Sequence, residues 1–445
     1  MKFKLMRILF SLIIMTGALL TQGSARSDDN IDFFDRMIPG NQITLLKNGD
    51  DLHSERMKMI RGADHSIYIS MFAIHADKIG KEIFQGLCDK ARAGLDVRAI
   101  IDHRASKDFF TYSMKLKDCG AHVISFRPGS RFFALHEKLL IVDGQKYITG
   151  GSGYSLTYKH HSFDSYLLER REANKVKKGW YDFDVMVSGT SACSFHQQYQ
   201  RNFKHLALMV ADYNPDIWWY GWKNFSSMKE KYYGLKKFKN CTLPKGKKWY
   251  GQSRVRPILA NPYYSKTRPI LDAHIEAIRL AETSSTRKIT MYAPYFVPAP
   301  KMVEALVRAQ KNGVQVTIIT NSIRATDEQK AGKTLFIAMM ESIKPMLKAG
   351  VELRLWDNLS MLHRKGGVYG DVAVVGSDNL DNRAQDFQSE SVIFSDDLNL
   401  VNEIRDDFAR DVEKTMLVTK EYIDNVYRTT PWIYKFIAKH FKKYF

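Results

Sequence analysis

The sequence is short of cysteine, of acidic charge and of apolar runs long enough to span a membrane, and each shortage excludes something. Cysteine occurs four times in 445 residues, at Cys88, Cys119, Cys193 and Cys241, and never as C-x-x-C. A zinc site built on cysteine pairs is excluded. Asp and Glu number 48 against 67 Lys and Arg, a net charge of +19. That balance asks for an anionic partner, whether nucleic acid, anionic lipid or a phosphorylated small molecule, and does not choose among them. The apolar stretch ILFSLIIMTGALL, residues 8–20, is too short at about 1.5 Å per residue to cross a bilayer core of about 30 Å. It follows the basic MKFKLMR and precedes the small residues of QGSARS, so it reads as an export signal cut after Ala25, with an uncleaved anchor as the alternative. No cysteine lies there, which argues against a lipoprotein.

What is present is ordinary for a globular chain: 44% hydrophobic and 26% charged residues, enough for a core, at a length that suggests two or three domains. An exported chain can oxidise its cysteines. Cys88 and Cys119 fall near the ends of two successive expected helices and make one candidate pair; four free thiols are the other reading.

The chain is written twice. SIYISMFAI, residues 66–74, and KITMYAPYF, residues 288–296, are both alternating β-branched and aromatic runs, the pattern of a strand. Each precedes a helical pattern that stops at a glycine, Gly94 or Gly313, as a helix C-terminus does. A second strand, a second helix and a third strand follow in both copies. Such alternation predicts parallel strands with helices on both sheet faces. The expected fold class is α/β, two duplicated α-β-α sandwich halves related by a pseudo-twofold around a central cleft. The expected boundaries are a signal peptide at 1–25, a first half at 26–210, an aromatic and basic insertion at 211–262, and a second half at 263–445. The insertion reads as an irregular linker packed on the domains or as a membrane- or substrate-facing loop. The last fourteen residues, WIYKFIAKHFKKYF, carry apolar positions at helical spacing with lysines between; they suit docking on the core or on an anionic membrane.

Each copy then carries a histidine two residues before a lysine: LHEK at 135–138 and LHRK at 362–365. In a strand, residues i and i+2 share a face, so His136 and Lys138 converge, as do His363 and Lys365. Asp143–Gly144 and Gly370–Asp371 are turn dipeptides that return the chain to Gly150–Gly151–Ser152 and Gly376–Ser377. Two histidines supply a nucleophile and a general acid, and two lysines can hold a phosphate between them without a metal. One site needs one pair from each half, which is why the motif occurs twice.

With these residues in view the chain resembles the phospholipase D superfamily, marked by a doubled H-x-K-x4-D followed by Gly-Gly or Gly-Ser. It is most similar to the cardiolipin-synthase-like branch, as NQITLLKNGDDL, YAPYFVP, WYDFDVMVSG and VGSDNLDNRAQDFQSES indicate. The resemblance implies a covalent two-step mechanism with His136 as nucleophile and His363 as acid and base, or the reverse. It also implies that carboxylates after each motif, Glu390 and Asp182, orient the histidine of the opposite half. Lys138, Lys365 and Asp143 complete the expected catalytic set, and Gly151, Ser152, Ser377 and Asn379 the expected substrate-binding set. The implied partners are a glycerophospholipid at an anionic membrane surface and an alcohol or water acceptor. No cofactor and no metal are expected, and the site is complete within one chain.

The second copy departs from the pattern. From His136 to Gly150 is 14 positions, but from His363 to Gly376 is 13, and Gly370 stands where Asp is expected, with Asp371 one place late. Gly366–Gly367 replaces the usual apolar pair and is expected to weaken that strand. A secreted nuclease and a membrane-surface binder with an impaired second site are the competing readings. The export signal places the protein in the periplasm or outside the cell, peripheral on a membrane.

Overall fold

The computed structural model describes residues 33–127, 133–159, 179–211, 233–241, 251–325, 332–358 and 360–441. The expected signal segment and most of the expected insertion lie outside them. A short turn of 3-10 helix, Phe34–Arg36, belongs to an N-terminal unit, residues 1–36; the sheet lies in the unit from Met37 onward.

One mixed sheet runs through this unit, and its strand order is close to a palindrome. The first half contributes β1 (Ile38–Leu46), β2 (Ser66–Met71), β3 (Asp96–Asp102), β4 (His122–Phe126), β5 (Ala134–Leu135), β6 (Lys138–Val142), β7 (Lys146–Gly150) and β8 (Asp184–Gly189). The second contributes β9 (Ser253–Ala260), β10 (Lys288–Tyr292), β11 (Gln315–Asn321), β12 (Glu352–Trp356), β13 (Gly366–Tyr369), β14 (Val372–Gly376), β15 (Gln388–Ser395) and β16 (Thr415–Leu417). Outward from the centre, the first half reads β1-β8-β7-β6-β2-β3-β4 and the second β9-β15-β14-β13-β10-β11-β12, with β16 added at that edge. β1 and β9 meet antiparallel at the junction. β2-β3-β4 and β10-β11-β12 are parallel, as the strand–helix alternation predicts.

Ser253–Ala260 was expected at the tail of the irregular insertion. It is instead β9, a central strand of the whole sheet. Its arginines, Arg254 and Arg256, interrupt the apolar alternation that marks a strand, because they find carboxylates in Asp396 and Glu276.

Period-2 alternation in β2 separates two cores. Ile67, Ile69 and Met71 pack with Ile60, Ile83 and Leu87 from the helices Gly49–Arg61 and Lys78–Arg92. Tyr68 points the other way, into a cluster with Phe195, Tyr199 and Phe203 of the helix Ser191–Ala211. That second cluster continues into the other half through Tyr292, Val375, Ile404 and Phe408, so the halves share one core on that face. Gly94 and Gly313 both end their helices at positive φ, +87° and +85°, a conformation that costs glycine little.

All four cysteines are paired, Cys88–Cys119 and Cys193–Cys241. The first pairing is the candidate read from the sequence. Each closes a loop of several tens of residues, 31 and 48 apart in sequence, which restricts the unfolded chain by roughly 3–4 kcal/mol.

The two hairpins after the motifs differ as their spacing predicts. β6 and β7 are joined by three residues, Asp143–Gln145, with Asp143 and Gly144 both at positive φ. β13 and β14 are joined by two, Gly370–Asp371, with Gly370 at φ +57°. Gly366 and Gly367 do not break β13. Their φ values are +127° and +149°, and a Cβ at either would strike the carbonyl of Val374 or of Thr290. The neighbouring strands close in where side chains would stand.

Candidate active site

Backbone pairing, rather than proximity in sequence, brings the two halves of the site together. β5, just before His136, pairs in parallel with the start of β15, Ala134 with Gln388 and Leu135 with Ser389. His136 then donates its backbone N–H to the Ser389 carbonyl at 3.0 Å. The second half repeats this: Leu362 bridges to Tyr181, and the His363 N–H donates to the Tyr181 carbonyl at 2.8 Å. In each case the next residue along the partner strand is the carboxylate. Glu390 thus lies with Oε1 2.8 Å and Oε2 3.1 Å from His136 Nδ1. Asp182 Oδ2 lies 2.6 Å from His363 Nδ1. Each imidazole is held by a carboxyl from the other half, through Nδ1, which leaves Nε2 for chemistry.

All four side chains are buried, with His136 and His363 at 6% and 4% exposure. Burial, reinforced by Lys138 and Lys365, holds His136 well below the usual imidazole range. Burial, with Asp378 adding to it, holds Glu390 well above the usual carboxylate range. Both shifts disfavour a separated ion pair, so the two groups share one proton on the Nδ1 side and Nε2 keeps its lone pair.

The lysines are placed alike. Lys138 Nζ donates to the His136 carbonyl at 2.7 Å, and Lys365 Nζ to the His363 carbonyl at 2.5 Å. Burial pushes Lys138 down to about 7; Glu390 opposes this and Lys365 adds to it. An arriving phosphate would favour the charged form again. Rings wall the two histidines: Phe72 lies 4.7 Å from His136, and Trp180 lies 4.5 Å from His363.

The remaining expected residues divide. Asp143 is not at the site. It follows β6 at the end remote from His136, roughly 20 Å along the strand at about 3.3 Å per residue. Its carboxylate accepts the backbone N–H groups of Asp64, His65 and Ser66 at 3.0, 2.8 and 2.8 Å. Asp143 ties down the entry to β2, so its expected catalytic role is corrected to a structural one. Asp371 does not repeat that clamp; it pairs with Arg405 at 3.2 Å. Gly151, Ser152 and Ser377, expected to bind substrate, lie against carboxylates. A Cβ on Gly151 would overlap the Asp182 carboxylate. Ser152 engages Asp184. The Ser377 hydroxyl donates to Glu390 and accepts the Ser391 N–H. Asn379 alone of this set keeps a buried side-chain oxygen without a hydrogen-bond partner.

Several buried charged groups escaped the sequence reading. Arg56 donates to the carbonyls of Ser152 and Gly153 at 2.7 and 2.9 Å and lies 3.7 Å from Asp184, bracing the loop behind Asp182. The middle residues of the two motifs, Glu137 and Arg364, point to the opposite strand face. Glu137 accepts from Asn202 at 2.9 Å, and burial raises it to about 7. Arg364 lies 3.2 Å from Asp407 and 3.1 Å from Asp411, with its guanidinium 3.9 Å from the centre of the Tyr181 ring. The signal was available: equivalent positions hold opposite charges, and alternation turns both toward the helices. Among the described residues, no cluster of three or more His, Cys, Asp or Glu side chains has metal-binding geometry.

A family model described as cardiolipin synthase, PLD-like domain, matches residues 57–207 and 275–412, spanning both motifs and both crossed carboxylates. The major cardiolipin synthase ClsA of Bacillus subtilis is 23% identical over 411 residues, covering 88% of this chain and 73% of that protein. Cardiolipin synthase A of Pseudomonas putida is 26% identical over 402 residues, covering 88% of this chain and 72% of that protein. Among solved structures, the phosphatidylserine synthase of Haemophilus influenzae shares the fold, with a TM-score of 0.59 at 17% identity over 91% of this chain and 95% of that one. The match runs through more than half of the sequence and through both half-sites, and the chain belongs to the phospholipase D-like cardiolipin synthase family.

Proposed function

We propose that the protein moves a phosphatidyl group from one glycerophospholipid to an alcohol acceptor through a phosphohistidine. The observation that carries this reading is the pair of crossed contacts, His136 with Glu390 and His363 with Asp182. They leave two Nε2 atoms for one phosphorus, with Lys138 and Lys365 beside them. In the first step His136 Nε2 attacks phosphorus, the bond to the departing alcohol breaks, and His363 gives that oxygen its proton. In the second, His363 takes the proton of the incoming alcohol, whose oxygen displaces His136. The reverse assignment of the histidines has the same chemistry. The lysine charges offset the charge that develops on the equatorial oxygens. Water in place of the alcohol would give hydrolysis and phosphatidic acid; the relatives' names favour transfer.

Export is part of the same reading. Two disulfides suit an oxidising compartment, and the basic, apolar and small-residue segments at 1–25 have the order of a signal peptide. The test is turnover of phosphatidylethanolamine labelled at phosphorus, with and without glycerol, followed by a quench in alkaline detergent. Wild type should give a new diester and a transient acid-labile, base-stable label on protein. A label absent from wild type, with plasmid DNA cut instead, would overturn the lipid reading.

A further inference from the structure

The C-terminal helices leave several large apolar side chains exposed close together. After β16 the chain forms two helices, Lys420–Thr429 and Trp432–Phe441. The first buries none of its residues. The second is anchored by one side: Ala438 is fully buried, and the opposite side presents Trp432, Ile433 and Phe436 at 73%, 39% and 49% exposure. Trp432 and Phe436 are one helical turn apart and share a face, with their rings 6.4 Å apart. At 100° per residue, Lys435 and Lys439 fall beside that stripe on one edge. Met416 and Leu417 on the edge strand β16 are also exposed, at 43% and 46%. A soluble protein gains nothing by leaving a tryptophan, a phenylalanine and an isoleucine together in water.

Charge identifies what covers them. From Trp432 to the end of the sequence there are four lysines and no acidic residue. A protein partner's apolar patch would take the rings but would have no need of that cationic border. A bilayer takes both: aromatic rings sit at the headgroup level, and lysines reach the phosphates with their stems along the apolar boundary. The length agrees. A helix of ten residues is about 15 Å long, enough to lie in the interface and too short to cross it, and no helix among the described residues is long and apolar enough to span a membrane.

We propose that this face docks the enzyme peripherally on an anionic phospholipid bilayer, through Trp432, Ile433 and Phe436 inserted at headgroup depth and Lys435 and Lys439 on the phosphates. The reading deepens the proposed function, since it concerns how a lipid enzyme reaches its substrate, but docking is measured without turnover. The experiment uses the purified full chain and sedimentation with vesicles of phosphatidylcholine alone or mixed with phosphatidylglycerol. Four variants are compared: Trp432→Ala with Phe436→Ala, Lys435→Glu with Lys439→Glu, Trp432→Phe, and Leu398→Ala as a control at an exposed leucine on another helix. Wild type and Leu398→Ala should bind anionic vesicles, and both paired variants should bind at least about tenfold more weakly. A blue shift of tryptophan emission on vesicles should be lost in Trp432→Phe, which retains an aromatic anchor and most of the binding. Turnover of a monomeric short-chain phosphatidylglycerol should be equal in all variants, while turnover of vesicle lipid falls in the paired ones.

Unchanged vesicle binding by both paired variants would overturn the proposal. So would a lipid-free dimer that the Trp432 and Phe436 pair abolishes, with no vesicle binding by wild type; a second copy would then be the occupant. Vesicle binding with no turnover of either substrate by wild type would leave docking standing and remove the proposed lipid chemistry instead.

Discussion

The half that carries His136 and the half that carries His363 agree on one face of the sheet and disagree on the other. On the catalytic face each histidine takes a carboxyl from the opposite half and each lysine donates to its own histidine's carbonyl. Behind that face the first half buries Glu137 against an asparagine, and the second buries Arg364 against two aspartates and three aromatic rings. The hairpins differ too, one clamped by Asp143 and one closed by Gly370–Asp371 and Arg405. Geometry toward a phosphorus atom has one solution, so both copies keep it. A supporting layer has only to fill space and satisfy its polar groups, and many side chains do that.

The largest expected effects test the symmetry of the catalytic face. His136→Ala and His363→Ala should each lower turnover by at least about 10⁴-fold, since the residues act as a unit. Quenched reactions should split them: the variant lacking the nucleophile loses the protein-bound label, and the other retains it. Equal labelling in both would break the two-role assignment. Next come the crossed carboxylates. Glu390→Gln and Asp182→Asn should cost roughly 10²–10⁴-fold in kcat with the fold intact by circular dichroism. A normal kcat for either would mean that its contact with the opposite histidine is not used.

The pH dependence follows from Lys138. With its ammonium held near pH 7 by burial, the free enzyme carries the charge below that value and loses it above. The profile of kcat/KM should therefore fall as pH rises through about 7. Lys138→Arg, which stays charged, should lack that falling limb whatever its absolute rate.

The supporting layers should respond with opposite signs. Arg364→Ala leaves Asp411 buried without its cation, while Asp407 keeps Arg410 and Lys47, and should destabilise by about 3–5 kcal/mol. Glu137 behaves the other way. Its folded value of about 7 stands above the ordinary 4.5, so the native chain holds more protons than the unfolded one between those values. The stability this contributes is complete below about 4.5 and is lost as pH rises through about 7. Glu137→Gln should raise Tm above pH 7 and flatten its slope. The smallest effects concern the hairpins: Asp143→Ala should cost about 1–3 kcal/mol of stability, and Asp371→Ala, whose ion pair is partly exposed, no more than about 1 kcal/mol. Comparable losses at the two positions would show that Asp371 substitutes for the missing clamp.

Part of this could be read before any coordinates. His136 with Lys138, and His363 with Lys365, follow from period-2 alternation, which is local. The parallel strands follow from strand–helix repetition, and the one-residue difference between hairpins follows from counting. Asp143 was misread because a motif position does not say which way a carboxylate faces; three N–H groups from a distant segment decide it. The contacts of Ser377 and Gly151 with Glu390 and Asp182 were not legible for a related reason, since a small residue beside a site does not say which neighbour it meets.

The amino-acid sequence by itself determined the duplication, the parallel strand–helix–strand run of each half and the shared face of each His-Lys pair. Those depend on propensities and spacings within a few tens of residues. Tertiary structure alone decided that Ser253–Ala260 is a central strand, that the middle residues of the two motifs are braced differently, and that the terminal helix is left with its rings in water. Each of these turns on partners far away along the chain, such as Asp396 for Arg254 and Asp411 for Arg364, and burial of a charge is tolerable only where folding delivers its partner.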